Sequence, residues 1–232
     1  MKATSVQDAF EQICAMEAPL HERMAAFSEA VREFGLPFAE AYDDLVARIR
    51  SGEAGSTAPE PGELMPEFLL PDSSGRLVSL DEILAEGPAV VSFNRGHWCE
   101  YCTIELTALR QGLNEIATHG AKVVSIMPES EAFTAKAAAN TGNRFRVLSD
   151  IDNGYALTVG LAIWLGERVR TLYLSHGLNL ERFQNSPNWF VPIPATFVVG
   201  RDGIIVARHV DPDFRNRMDI EEIVGALKPL RQ

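Results

Sequence analysis

The sequence predicts an α/β sandwich with a mixed central sheet, preceded by a helical extension at the N-terminus. Three observations carry this expectation. From Leu64 onward, short β-branched runs alternate with stretches of helical periodicity. One run, Ala89-Val90-Val91-Ser92-Phe93, leads into a C-x-x-C pair, Cys99 and Cys102, and then into a stripe of Cys102, Leu106, Leu109, Leu113 and Ile116 spaced 4, 3, 4 and 3 apart, one face of an α-helix. Residues 1–50, by contrast, read as helix throughout.

In the extension, Ile13, Leu20, Met24, Phe27, Val31 and Phe34 recur at spacings of 7, 4, 3, 4 and 3. Pro19 suits the first turn of a helix, and Gly35-Leu36-Pro37 ends it, because glycine favours the C-terminal cap and proline cannot continue the ladder. Phe38, Tyr42, Leu45 and Ile49 form a second apolar stripe. This face needs a partner, either the main domain or a second copy in a homodimer. Residues 51–63, rich in small residues, glycine and proline, read as a linker between the extension (1–50) and the main domain (64–232).

Phe68-Leu69-Leu70 and Leu77-Val78-Ser79 flank the turn-rich Asp72-Ser73-Ser74-Gly75 and predict a short hairpin. After the cysteine helix come a strand at Lys122 to Met127, a helix at Glu129 to Ala139, a strand at Phe145 to Leu148 and a helix start at Asp150 to Asn153. Residues 161–190 look less regular. Ala195 to Val199 and Ile204 to Ala207 flank Gly200-Arg201-Asp202-Gly203, a second hairpin signal, and a last helix spans Asp219 to Leu227.

Composition narrows the function. With 232 residues, 46% hydrophobic and 23% charged, the chain has ordinary globular proportions, and its net charge of −11 disfavours nucleic acid and anionic membrane as partners. No apolar run approaches the roughly 18 residues that span a bilayer. Met1 to Asp8 carries no basic-then-apolar leader pattern. Three cysteines with one close pair are not a secreted disulfide framework, so a reducing, cytoplasmic setting is expected.

In such a setting a C-x-x-C at a strand-to-helix junction reads as a redox motif. The partial positive charge of a helix N-terminus favours a thiolate there. A cysteine three residues on lies one turn down the same face, with Cα atoms about 5–6 Å apart, within reach of a disulfide. Trp98 is placed to shield the pair, Arg95 and His97 to supply positive charge, and Glu100 to oppose the thiolate. Zinc would need two more ligands, and His21, His119, His176 and His209 are scattered, so neither metal nor cofactor is expected. Cys14 reads as a small helical core or surface residue, and Trp164, Tyr173 and Trp189 as local core.

At these residues the chain resembles the peroxiredoxin-like branch of the alkyl hydroperoxide reductase/thiol-specific antioxidant (AhpC/TSA) family. The resemblance rests on Leu64-Met65-Pro66-Glu67-Phe68, the stretch Phe93 to Cys102, Pro194 to Val199 with Asp202-Gly203, and the tail Asp211-Pro212-Asp213-Phe214-Arg215-Asn216-Arg217. It implies a thioredoxin-like fold and reduction of a hydroperoxide by a cysteine that a second thiol resolves. By position Cys102 matches the family's attacking cysteine, with Glu105 completing C-x-x-E. Cys99 stands where the motif P-x-x-x-T-x-x-C has threonine, and Arg95 where it has proline. Pro194 replaces the family's peroxide-holding arginine and looks instead like the cis-proline that faces the C-x-x-C of thioredoxins. Arg95, Arg215 or Arg217 would then replace the missing positive charge.

The functional expectation is an antioxidant oxidoreductase that reduces hydroperoxides through a Cys99–Cys102 dithiol/disulfide cycle, recharged by a thiol reductant such as a thioredoxin or glutaredoxin system. A thioredoxin-like disulfide oxidoreductase uses the same sulfurs with Cys99 attacking and Cys102 resolving. A redox-sensing or partner-binding module, working through the N-terminal helices, is the third reading.

Overall fold

The computed structural model describes residues 3–231, so Met1, Lys2 and Gln232, and with them part of the stretch read for a leader, lie outside the described residues. Helices α1 (Val6–Cys14), α2 (Leu20–Phe34) and α3 (Leu36–Ser51) fill the extension. Ser5 caps α1 by accepting from the Asp8 amide, Pro19 is the N-cap of α2, and Pro37 sits in the first turn of α3, where a missing N–H costs little. Gly35 breaks the helix as its sequence predicts, but the chain turns straight into the next one.

The stretch expected as a linker lies along the sheet edge. The Gly62 amide donates to the Ile205 carbonyl at 2.8 Å, the Ile205 amide to Glu63 at 2.9 Å, and Arg208 to the Ala58 carbonyl at 2.6 Å. Strands β1 (Leu69–Pro71) and β2 (Leu77–Ser79) form the predicted hairpin, its turn held by the Ser74 amide donating to Asp72 at 2.8 Å. A short helix unforeseen from sequence follows, α4 (Leu80–Glu86), capped by Ser79. Its seven residues are too few to display a period.

Then come β3 (Ala89–Phe93), α5 (Glu100–Thr118), β4 (Lys122–Met127), α6 (Glu131–Asn140), β5 (Arg146–Ser149) and α7 (Gly154–Thr158). Residues 161–190 are more ordered than the sequence suggests. Strand β6 (Ala162–Trp164) pairs with β7 (Phe190–Pro192) as an antiparallel ribbon, and α8 (Glu167–Ser175) and α9 (Leu180–Gln184) lie between them. Each piece is short and starts at a local signal, Gly166 with φ 87° before α8 and the Asn179 side-chain cap before α9, so no period accumulates. Strands β8 (Ala195–Val199) and β9 (Ile205–Val210) and helix α10 (Ile220–Leu227) complete the chain.

The central sheet runs β5-β4-β3-β8-β9, with β3, β4 and β5 parallel and β8 and β9 antiparallel, the mixed sheet expected. Every residue of β3 and β8 is buried, which is why both strands read as continuous apolar runs. Val90 joins a cluster with Leu109 of α5 and Val224 of α10, while Val91 and Phe93 join the larger cluster on the other face. One polar row interrupts this core. Ser92 lies opposite Ser125 on β4 and Thr196 on β8, all nearly inaccessible to solvent.

The apolar face of the extension is spent inside the chain. Ile13, Met24, Phe27 and Val31 are buried, α1 and α2 rest on α5, and α3 rests on α8. Phe27 meets Phe10 and Tyr101 edge-on, with ring centroids 5.9 and 4.8 Å apart. Among the described residues, no helix is long and apolar enough to cross a membrane. Phe27→Ala removes the ring that ties α2 to the cysteine helix. It should lower unfolding stability in urea by about 3–5 kcal/mol, with one cooperative transition retained.

Candidate active site

Strand β3 delivers the chain to the site and α5 carries it away. Past Phe93, the Asn94 amide still donates to the Ile126 carbonyl at 2.8 Å, so the sheet continues by one residue before the loop. Gly96 then turns with φ 143°, and a Cβ there would approach Trp98 Nε1 to 2.5 Å and Glu129 Oε1 to 2.7 Å. Only glycine fits that turn. Cys99 is the N-cap of α5 and Cys102 lies in its first turn.

Both thiols are free and buried, 1% and 0% exposed, with their sulfurs 2.9 Å apart. Cys102 donates to Cys99, and an Arg95 guanidinium N–H donates to Cys99 Sγ at 3.1 Å. The Arg95 amide points at Cys102 Sγ from 3.4 Å, and Arg217 Nη2 stands 3.9 Å from the same sulfur. Burial alone would push the Cys99 thiol up. The hydrogen bond from Cys102 and the charges of Arg95 and Arg217 outweigh it and hold Cys99 down at about 5. Cys102 goes the other way, raised by burial and by its bond to the Cys99 thiolate. The surroundings therefore favour the thiolate at Cys99 and the thiol at Cys102.

Each arginine is held differently. Arg217 Nε donates to Glu105 Oε2 at 2.7 Å, and both side chains are almost wholly buried, 1% and 2% exposed. Glu105 Oε1 in turn accepts from Ser92 at 2.8 Å and Thr196 at 3.4 Å, and Asn94 bridges Ser92 and Ser125 at 2.8 and 3.2 Å. The polar row across the sheet is thus the support of a buried ion pair. Arg95 forms no ion pair with a carboxylate among the described residues. Its guanidinium lies 3.7 Å over the Phe214 ring and 5.5 Å from that of Trp98, and its Nε and Nη1 have no hydrogen-bond partner.

Of the residues singled out from sequence, Cys99, Cys102, Arg95, Trp98, Glu105 and Arg217 meet here. Arg215 does not, because Asp213 and Asp43 hold it at 2.7 and 2.6 Å. The peptide bond before Pro194 is trans, as is every described peptide bond, which corrects the expectation of a cis-proline facing the sulfurs. His97 turns to Glu129, with Nδ1 at 2.7 Å and its amide at 2.8 Å from the carboxylate, stacks on Phe133 and meets Phe183 edge-on. Glu100 opposes the thiolate as expected: crowding by protein and then the Cys99 charge raise its carboxyl. Cys14 is half-buried in α1, Trp189 and Tyr173 are core, and Trp164 is exposed beneath Arg48.

Sequence reasoning missed Phe214, Glu129 and the Ser92–Asn94–Ser125–Thr196 row. Phe214 stood within the tail motif, and Ser92 and Thr196 were visible as lone hydroxyls in apolar strands. Glu129 had no local signal. Among the described residues no group of three or more His, Cys, Asp or Glu side chains could hold a metal ion.

A sequence model described as the AhpC/TSA family matches residues 61–208. A candidate peroxiredoxin of Mycobacterium tuberculosis strain H37Rv is 29% identical over 150 residues, 64% of this chain and 84% of that one. Peroxidoxin BcpB from the same organism superimposes with a TM-score of 0.58 at 21% identity, covering 75% of this chain and 99% of its own. Thiol peroxidase from Chromobacterium violaceum does so with a TM-score of 0.55 at 16% identity, covering 75% and 90%. At these identities the two structures speak for the fold.

Two outcomes follow from the geometry. Peptide-resolved alkylation of Cys99 by iodoacetamide should be flat through neutral pH and half-maximal at about 5. Arg95→Met should move that midpoint toward the ordinary thiol value of about 8.5. By the same linkage the reduced protein gains stability from this group as pH rises from the folded to the unfolded thiol value, and loses it on acidification through the folded one. Separately, Glu105→Ala leaves Arg217 buried without a counter-charge and should cost about 3–5 kcal/mol in denaturant unfolding.

Proposed function

We propose how a chain that belongs to the AhpC/TSA family, and is a thiol-dependent peroxidase, uses this pair: Cys99 is the attacking thiolate and Cys102 the resolving thiol. The carrying observation is the Arg95 guanidinium 3.1 Å from Cys99 Sγ, with Cys102 donating to the same sulfur. This reverses the roles that position in the C-x-x-E motif implies.

The Cys99 thiolate attacks the terminal oxygen of R–O–OH. An S–O bond forms, the O–O bond breaks, and RO⁻ leaves and takes a proton from solvent to become ROH. The nucleophile is oxidised to a sulfenic acid and the peroxide reduced to the alcohol. Nε and Nη1 of Arg95, buried without hydrogen-bond partners, are the donors that would meet the developing RO⁻, the service that threonine and arginine perform in the motif this chain lacks. Cys102 then attacks the sulfenic sulfur. The disulfide forms, and the expelled hydroxide leaves as water with the Cys102 proton. The sulfurs are already in contact, so no large backbone movement is required.

A dithiol reductant of the thioredoxin or glutaredoxin class restores the pair by exchange, in a compartment kept reducing. A homodimer would have to use a face other than the apolar side of the N-terminal helices, which is buried within the chain.

Stopped-flow oxidation by hydrogen peroxide with mass spectrometry tests the assignment. Cys102→Ser should accumulate one added oxygen on Cys99 at close to the wild-type rate. Cys99→Ser should react no faster than a free thiol, at least about a hundred-fold below wild type. Oxygen appearing on Cys102 in Cys99→Ser at the wild-type rate would reverse the assignment.

A further inference from the structure

The N-terminal helices do more than pack on α5 and α8. Between α2, α3 and α8 they enclose a cavity of about 460 Å³, a size ordinary for small-molecule sites. Val31, Phe38 and Tyr42 of the extension form one wall and Tyr173 of α8 the other. The Tyr42 and Tyr173 hydroxyls meet at 3.1 Å, so each phenol in the lining has a polar partner. The floor is Trp98, Glu100 and Tyr101, the residues on either side of Cys99 in the chain.

The reacting groups stand directly behind that floor. Arg95 lies 5.5 Å from the Trp98 ring centroid, and the Trp98 ring is 5.5 Å from that of Tyr173. Burial raises Tyr101 and Tyr173 to about 12 against the opposing pull of Arg95, so both phenols are neutral at working pH. Glu100 puts a carboxylate on the floor beside the Cys99 thiolate. Arg95 and the Cys99 thiolate offset each other at 3.1 Å, so the Glu100 carboxylate is the charge left on the floor; it disfavours an anionic ligand and leaves an uncharged one unopposed. Val31, Phe38 and Tyr42 lie outside residues 61–208, so this wall is an addition to the part of the chain that matches the family.

We propose that α2 and α3 complete a binding site for an uncharged hydroperoxide with an aromatic or branched-alkyl body. The body is held among Val31, Phe38, Tyr42 and Tyr173, and the peroxide end is directed past Trp98 toward Cys99 and Arg95. The proposal rests on the peroxidase reading for its chemistry, and the atom balance is the one given above with R as this body. Binding energy from a body remote from the O–O bond raises kcat/KM for such substrates over hydrogen peroxide, which has no body to bind.

Two measurements on the full chain test it. The first is kcat/KM for cumene hydroperoxide and for hydrogen peroxide. The wild type should favour the former, and Val31→Trp, which fills the cavity, should lower the ratio of the two at least about tenfold. Phe38→Ala, which removes a wall without adding bulk, should lower the ratio in the same direction. The second is calorimetric binding of cumyl alcohol, the reaction product, to the reduced protein. It should bind the wild type, bind Val31→Trp at least about tenfold more weakly, and outcompete its para-carboxylated analogue. A ratio unchanged in both variants, or no binding of cumyl alcohol to the wild type, overturns the proposal. If neither peroxide oxidises Cys99 faster than a free thiol, the peroxidase reading fails instead, and the binding measurement still decides the site.

Discussion

A guanidinium buried without a carboxylate is the constraint on which the rest of this structure depends. Arg217 has Glu105, and that pair is nearly neutral as a unit. Among the described residues Arg95 makes its contacts with sulfur and aromatic faces and forms no ion pair with a carboxylate. A buried cation left uncompensated is costly, and the cheapest local source of negative charge is the proton of Cys99. The thiolate and the arginine therefore stabilise each other: neither is comfortable in this interior alone. Disulfide closure consumes that negative charge. In the cycle proposed above, a site arranged in this way favours its dithiol form over its disulfide, which would make the oxidised pair a ready partner for an incoming reductant.

The sheet is organised to hold the second cation. Ser92 and Thr196 sit opposite one another in the register of two central strands, and both aim hydroxyls at Glu105. Without them a carboxylate in the middle of an α/β sandwich would have a single partner. With them its lone pairs are satisfied and Arg217 is fixed 3.9 Å from Cys102. The tail after β9 matters for the same reason. It brings Arg217 inward and lays Phe214 against Arg95, while Asp213 and Asp43 hold Arg215 outside.

How much of this was legible varies with how local each cause is. Strands β3, β4 and β8 could be read to the residue, because burial on both faces leaves an unbroken β-branched run. The C-x-x-C at a strand-to-helix junction pointed to the place where the candidate site is built, and C-x-x-E pointed to Glu105, which the structure puts beside it. The pieces between residues 161 and 190 were hidden because helices of nine and five residues never repeat an apolar period often enough to show it. Roles set by side chains far apart in the chain were hidden altogether. Nothing near Arg217 distinguishes it from Arg215, yet one enters the core and the other is held nearer the surface by Asp213 and Asp43. The C-x-x-E motif assigns attack to Cys102, whereas the charges around the sulfurs favour Cys99, because the decisive guanidinium stands closer to the N-cap sulfur than to the one a turn below.

The N-terminal helices show how an extension acquires a part in chemistry it does not perform. Their apolar stripe had to be covered, and covering it against α5 brings Phe27 onto Tyr101, two residues past Cys99. Once α2 is seated there, α3 crosses to α8 and places Tyr42 against both Tyr173 and Phe214, the ring that also supports Arg95. The extension therefore packs against the residues that hold the guanidinium as well as those that border the thiolate. Stability of the helices and electrostatics of the sulfurs are coupled through shared aromatic contacts. Tyr42 of α3 and the Arg95 guanidinium share one ring, Phe214, at 5.0 and 3.7 Å.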